Sequence, residues 1–124
     1  TFRNVHNWVM GGNEKEMFEA FFEVLKPGGV LGVVDHRAAE GAELEKVKNS
    51  GYLPEAYVIN LAVRAGFKLE ARSEVNANPK DRKDYPNGVW TLPPALREGD
   101  KGRDEYLAIG ESDRMTLRFV KPKN

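Results

Sequence analysis

The segment from Val30 to Val34 is the strongest constraint on the fold of this 124-residue chain. It is apolar apart from one glycine, it is rich in β-branched residues, and Pro27-Gly28-Gly29 precedes it as a helix stop and turn. Apolar runs of this kind are typical of strands buried on both faces, as in parallel sheets covered by helices. We therefore expect an α/β fold in which this strand is buried.

Three polar residues, Asp35, His36 and Arg37, follow directly at the end of this strand. Open α/β sheets bind their ligands at the carboxyl ends of their parallel strands. An imidazole can act as a general base near neutral pH, and a guanidinium can bind a carboxylate or a phosphate. We predict that all three residues are catalytic. The alternative is that Asp35 caps the following loop and Arg37 forms an ion pair on the surface.

Two amphipathic helices are predicted on either side of this strand. Asn13 and Glu16 form a capping-box pattern ahead of an apolar stripe that ends at Leu25. A second helix is predicted over residues 54–65, with Gly66 at its C-terminus. Together with the buried strand, these helices are typical of βαβ units.

The remaining segments predict further strands and a long loop within a single partial domain. Residues 1–12 indicate a strand exit and a loop, and residues 67–72 alternate like a half-buried strand. Residues 76–112 have turn signals and weak periodicity, which predicts a long loop covering the site. Residues 115–121 alternate again. Since no helical crossover precedes them, we expect this last strand to be antiparallel to its neighbour.

The antiparallel last strand would bring a second polar pair toward the first. Its start, at Asp113 and Arg114, would lie at the same edge of the sheet as Asp35 and Arg37. An ion pair of Arg37 with Asp113, or of Asp35 with Arg114, would either preorganise the site or hold the long loop in place. The sequence leaves both pairs and both roles open.

Composition excludes several classes of function. The formal net charge is zero, which gives no bulk electrostatic support for nucleic-acid binding. No segment is long enough to span a membrane. The chain has no cysteine and only two histidines, so disulfides and thiolate sites are excluded and no metal centre is predicted. A cytoplasmic location is expected by default, since any signal would lie upstream of Thr1.

Several motifs occur in a specific order along the whole chain. They are a helix ending in LKPGG, a strand ending at Asp35, the AGF joint before the next strand, and the closing strand ESDRMTLRFVKP. In this order they resemble the second half of a class I S-adenosylmethionine-dependent methyltransferase. With VVDHRA, the closing strand is similar to a group of bacterial predicted methyltransferases. The resemblance implies the C-terminal half of a Rossmann-like three-layer methyltransferase sheet with its last strand antiparallel.

The resemblance also implies a function, namely methyl transfer from S-adenosylmethionine to a small-molecule acceptor. This chain would supply the substrate-side half, because the family's glycine-rich cofactor loop has no counterpart here. The residues implied to contact the cofactor are Phe2, Arg3 and Asn4, and His6 is implied to bind the substrate, unless this segment is only a structural turn. Asp113 and Arg114, which the antiparallel last strand would bring to the same edge, are predicted to bind the substrate as well.

Two other interpretations of the chain stay open. It could be a non-catalytic fragment or binding module that needs a partner chain to complete its sheet. An exposed apolar strand edge would then favour a homodimer or a swapped assembly. It could also be part of a different Rossmann-like enzyme, such as an oxidoreductase, whose dinucleotide motif would lie outside these residues.

Overall fold

The computed structural model describes residues 1–123, and these form helices, strands and two short 3₁₀ turns. The strands are β1 (Val30–His36), β2 (Lys68–Ser73) and β3 (Arg114–Val120). The helices are α1 (Val5–Gly11), α2 (Glu14–Val24), α3 (Leu44–Val47), α4 (Glu55–Ala65) and α5 (Arg103–Ile109), and the 3₁₀ turns span Lys48–Ser50 and Gly88–Thr91. None of the helices in residues 1–123 combines the length and the apolar character needed to cross a membrane.

The three strands form one sheet in the order β1-β3-β2, with β3 antiparallel to both neighbours. The last strand is therefore antiparallel, as its alternating sequence and the missing crossover predicted. In the β1–β3 register, Val33 lies opposite Leu117. A single parallel bridge, from Phe2 to Val34, adds the start of the chain to the free edge of β1.

The hydrophobic core lies on one face of this sheet. Leu31 and Val33 point into it from β1, whereas Gly32 is exposed and Val30 is 43% exposed. The helices α1, α2 and α4 supply the opposing side chains. The buried members of the core are Val5, Val9, Phe18, Leu31, Val33, Leu53, Val58, Ala62, Phe67, Met115, Leu117 and Phe119.

The predicted Rossmann-like three-layer sheet is wrong. The described sheet has three strands paired antiparallel, and its core helices lie on one face. The error comes from the apolar run Val30 to Val34, which was interpreted as buried on both faces. In the structure this run alternates between the core and the open face, as period-two strands do. A run of apolar residues does not by itself show that both faces are covered.

The two predicted amphipathic helices are present as α2 and α4. Gly66 ends α4 in the left-handed conformation with φ of 116°, as predicted from its position. The Asn13 side chain makes no capping hydrogen bond, so the predicted capping box does not form. Packing of the apolar stripe, with Phe18 fully buried, holds α2 in place instead.

Two helices were missed where the sequence predicted loops. Residues 1–12 contain α1, whose Val5 and Val9 are both buried at a spacing of one helical turn. The predicted long loop over 76–112 contains α5 and a 3₁₀ turn. Both helices have only seven residues, so each gives a hydrophobic period too short to recognise.

Candidate active site

A buried pair formed by His6 and Asp35 joins the start of α1 to the end of β1. His6 Nδ1 lies 2.8 Å from Asp35 Oδ1, and the backbone N–H of His6 donates to Asp35 Oδ2 at 2.9 Å. Asp35 is fully buried and His6 is 5% exposed. Asp35 occupies the next inward position of β1 after Val33, so the strand itself aims its carboxylate at α1.

His36 lies beside this pair and completes a cluster of polar groups. Its backbone N–H donates to Asp35 Oδ1 at 2.7 Å, and its ring lies 5.0 Å from the His6 ring, centroid to centroid. Its Nδ1 is hydrogen-bonded to Ser112 Oγ. Burial lowers the pKa of His36 to about 4, although Asp35 opposes that change. His36 is therefore neutral at pH 7.

The cluster forms one wall of a cavity of about 350 Å³. Both histidines line it, together with Arg3 and Arg114. The second 3₁₀ turn and the residues that follow it line the rest of the cavity, and within this turn the Trp90 ring packs edge-on near the His6 ring, with 6.2 Å between the centroids. The volume suits a small molecule rather than a macromolecule.

The hydrogen bonds determine what the His6 ring can do. Asp35 accepts three N–H bonds, from the backbone of His6, the backbone of His36 and Nδ1 of His6. A carboxylate in this position keeps the proton on Nδ1 and leaves Nε2 as the basic nitrogen. Within residues 1–123, Nε2 of His6 has no hydrogen-bond partner, so it can accept a proton from a ligand in the cavity.

The same three residues offer a donor set for a metal ion. One ligand atom each from His6, Asp35 and His36 lies within 4.8 Å of the others. Two imidazoles and a carboxylate suit divalent transition metals. However, both Asp35 oxygens already accept N–H bonds, and Nδ1 of His36 is bonded to Ser112. A metal bound through the two Nδ1 atoms would have to replace these bonds, so the hydrogen-bonded arrangement as it stands is that of a site for proton transfer.

Arg37 and Asp113 form a separate ion-pair network. Arg37 Nε lies 2.9 Å from Asp113 Oδ2, and its Nη2 lies 3.0 Å from Oδ1. Lys83 Nζ is 2.9 Å from the same carboxylate. Burial raises the pKa of Asp113, but hydrogen bonds from Arg37 and Lys83 outweigh burial and hold it at about 2. Of the two ion pairs that the sequence left open, the structure contains the one between Arg37 and Asp113.

Asp81 anchors the long segment to this network. Its carboxylate accepts from the Tyr52 hydroxyl at 2.8 Å and from the backbone N–H of Asp113 at 2.9 Å. Burial, followed by the Asp81 charge, raises the pKa of Tyr52. The charge run Asp81-Arg82-Lys83-Asp84 is typical of a solvated loop, but Asp81 is only 7% exposed. Asp81 is buried because two groups distant in sequence converge on its carboxylate.

The structure divides the predicted site residues between two places. One group lines the His6 cavity or supports it, and its members are Phe2, Arg3, Asn4, His6, Asp35, His36 and Arg114. Arg37 and Asp113 lie instead on a second cavity of about 580 Å³. The catalytic role predicted for Arg37 and the substrate-binding role predicted for Asp113 stay predictions, and they concern this second cavity.

Sequence reasoning missed two residues of the His6 cavity. A tryptophan is more often a packing residue than part of a binding site, yet Trp90 is only partly buried and lines the cavity. Ser112 was not assigned a role, although it bonds to His36 across 76 residues of sequence. The position of Ser112 could have indicated its role, because Ser112 lies just before β3, the antiparallel strand that pairs with β1.

Comparison with known proteins finds a structural likeness but no matching family. No known family model and no curated protein matches the sequence. The fold combines five helices with a three-stranded antiparallel sheet in the described residues 1–123. Among solved structures, the chain is similar to the crystal structure of the [4+2]-cyclase SpnF, with a TM-score of 0.51 and 18% identity. The match covers 90% of this chain and 45% of the cyclase chain, so this chain spans about half that length.

The comparison overturns the recognition of the chain as a class I S-adenosylmethionine-dependent methyltransferase. No family model supports it, and the solved neighbour is named as a cyclase. A likeness at 18% identity shows the fold alone. One fold carries many chemistries, so the ordered motifs of the sequence describe an architecture and not a reaction.

Proposed function

We propose that this chain forms the acceptor-side wall of an enzyme active site. A small molecule would bind in the 350 Å³ cavity, and His6 would remove a proton from it. The observation that carries the proposal is the buried His6–Asp35 pair at the wall of that cavity. Burying polar groups costs free energy, so a buried polar pair at a cavity wall favours a functional role. An imidazole hydrogen-bonded to a carboxylate is a common general base.

The roles of the individual residues follow from their contacts. Asp35 would hold the His6 ring in the tautomer with Nε2 unprotonated and would stabilise the imidazolium that forms. His36, neutral at pH 7, would hold Ser112 and leave the positive charge to develop on His6 alone. Asp35 and His36 would thus act as positioning residues, and His6 as the catalytic base.

A more specific form of the proposal names the group that is transferred to the acceptor. S-adenosylmethionine would supply a methyl group to the acceptor atom once its proton is removed. The residues that line the cavity do not fit the whole cofactor, because those described include no carboxylate to hold a ribose. A cyclisation, as in the name of SpnF, is the competing chemistry, and it would favour a less polar cavity than this one.

Mass spectrometry on the whole chain tests both levels of the proposal. The chain would be incubated with S-adenosylmethionine and a panel of small hydroxylated aromatic acids, and methylated products would be measured. We expect His6→Gln to reduce product formation about 10²- to 10⁴-fold, the usual contribution of a general base. Lys15→Gln, on the exposed side of α2, is the matched control and should not change the rate.

Two results would contradict the proposal at different levels. An unchanged rate in His6→Gln would reject the assignment of His6 as base. Calorimetry that shows no heat with S-adenosylhomocysteine, together with no methylated product from any acceptor, would reject the methyl donor.

The open face of the sheet supports a second candidate, a non-catalytic module that self-associates. Phe2 is 70% exposed and Val30 is 43% exposed on this face, which is lined mostly by apolar atoms. Size-exclusion chromatography with light scattering should then show a dimer that Val30→Glu dissociates. Val63→Glu is the control, since Val63 is 50% exposed on α4. A compact monomer at all concentrations would reject this candidate.

A further inference from the structure

The His6 cavity has an unbalanced charge. Its polar lining consists of Arg3, Arg114, both histidines, Asn4 and Ser112. No aspartate or glutamate is among the described residues that line it. Glu111, which is half exposed, pairs with both arginines from outside this lining. A cavity with two guanidinium groups and no lining carboxylate favours an anionic ligand.

Arg114 is the deeper of the two cations and lacks a full set of partners. It lies opposite His36 in the β1–β3 register, so the sheet sets its position. One terminal nitrogen donates to Glu111 at 2.7 Å, and the side chain is 16% exposed. Its Nε is buried and finds no acceptor among residues 1–123. A buried donor without an acceptor is destabilising, and a ligand oxygen in the cavity would remove that cost.

Arg3 provides a second cation at the mouth of the same cavity. Its backbone adopts a left-handed conformation with φ of 58°, which turns the chain between the Phe2 bridge and α1. Its Nη1 lies 3.9 Å from Glu111 Oε1, the same oxygen that Arg114 contacts. Both arginines therefore converge on one carboxylate oxygen. Glu111 is 54% exposed, so an incoming anion could replace it.

Another part of the cavity lining is apolar and includes one aromatic ring. Trp90 lines it together with Leu92, Pro93 and Pro94. The Trp90 ring is held by Arg97, whose guanidinium carbon lies 4.9 Å from the ring centroid. A fixed aromatic wall facing a cationic corner suits a ligand with a flat apolar body and one anionic end.

We propose that the His6 cavity binds a small aromatic acid whose anionic group pairs with Arg114 and Arg3 while its ring packs on Trp90. This rests on the proposed function, since it names the substrate class of the same site. The ion pair would place the ligand's ring beside Trp90 and within reach of His6, whose rings both line the cavity. The proton that His6 removes would then come from a hydroxyl or similar group on that ring. Carboxylate and phosphate ends share the recognition chemistry.

Calorimetry with benzoate, phenyl phosphate and the neutral analogue benzamide tests this site on the whole chain. We expect at least one of the two anions to bind and benzamide not to bind measurably. Arg114→Gln should weaken anion binding about 10- to 100-fold, the effect of losing a charged hydrogen bond. Arg118→Gln is the matched control on the same strand, because Arg118 is 58% exposed and pairs with Glu70 outside the cavity. Glu111→Gln should bind the anion more tightly.

The outcomes separate this inference from the proposed function. Equal binding of benzamide and benzoate, or unchanged binding in both Arg114→Gln and Arg3→Gln, would overturn the anion site. Arg3→Gln is included because it lies at the surface and should fold even if Arg114→Gln does not. His6→Gln should still bind the anion while losing turnover. Turnover of neutral acceptors without anion binding would overturn this inference and leave the proposed base intact.

Discussion

Asp35 accepts both the ring Nδ1–H and the backbone N–H of His6, and these two bonds join β1 to α1. The side chain and the backbone of one residue therefore depend on a single buried carboxylate. The contact contributes to folding as well as to the site, since a buried acceptor that loses its charge leaves its donors poorly satisfied.

The variant Asp35→Asn tests this dependence. We expect a loss of about 3 kcal/mol in the free energy of unfolding, because at least one of three buried N–H donors would face an amide N–H. Urea denaturation measures the stability. Nitrogen NMR of His6 measures the tautomer, which should shift away from Nδ1–H. Asp104→Asn on the exposed side of α5 is the control and should be neutral. An unchanged tautomer in Asp35→Asn would contradict the orienting role.

His36 should titrate near pH 4 in the folded chain, against about 6.5 when unfolded. Burial is the main cause, and the positive charges of Arg114 and Arg3 act in the same direction. The unfolded chain then binds more protons between pH 6.5 and 4, so stability falls by about 3 kcal/mol as the pH is lowered through that window. Proton NMR of the two histidines measures the midpoint, with His6→Gln for assignment. A His36 midpoint near 6.5 would contradict the prediction.

Asp113 should produce a second, more acidic transition. Its pKa is about 2 in the folded chain and 3.8 in the unfolded chain. Its stabilising effect is complete above pH 3.8 and is lost as the pH falls toward 2, an effect of about 2 kcal/mol. Asp113→Asn should remove this slope and lower stability at neutral pH by about 3 kcal/mol, because Arg37 and Lys83 lose their shared partner. Unfolding curves at several pH values would show whether the slope persists.

Gly88 should be intolerant of any side chain. Its φ is 55°, and a Cβ atom there would lie 2.1 Å from the carbonyl oxygen of Ser50. Gly99 is the matched control, with φ of 65° and nothing within 4 Å of the place that a Cβ atom would take. Gly99→Ala should cost about 1–2 kcal/mol from the left-handed backbone alone, and Gly88→Ala distinctly more. Thermal unfolding compares the two variants, and equal losses would show that the clash relaxes freely.

Local elements of the fold were predictable from sequence, whereas the number of layers was not. The helices α2 and α4, and the antiparallel direction of β3, follow from periodicity, glycine position and the missing crossover. Burial of the second face of β1 depends on what else packs there. The valines of β1 look the same in sequence whether a helix covers that face or solvent does.

The candidate site was predicted at its strand end, whereas the contacts of that strand end to distant residues were not. Asp35 and His36 end the buried strand β1, so position alone singled them out. Their partners His6 and Ser112 lie 29 and 76 residues away in sequence. Arg37 was grouped with Asp35 and His36 by sequence order. Arg37 lies just past the end of β1, where the strand alternation no longer sets its direction, and it pairs with Glu74 and Asp113 instead.

Leu31, Val33 and Asp35 share the inward face of β1, and this alternation couples packing of the core to assembly of the site. A shift of β1 by one residue against β3 would turn all three side chains outward together. The chain therefore cannot bury its apolar core in the wrong register and still present a working carboxylate to His6. Mispaired molecules would be unstable and inactive for the same reason, so a single inserted residue in β1 would abolish both properties at once.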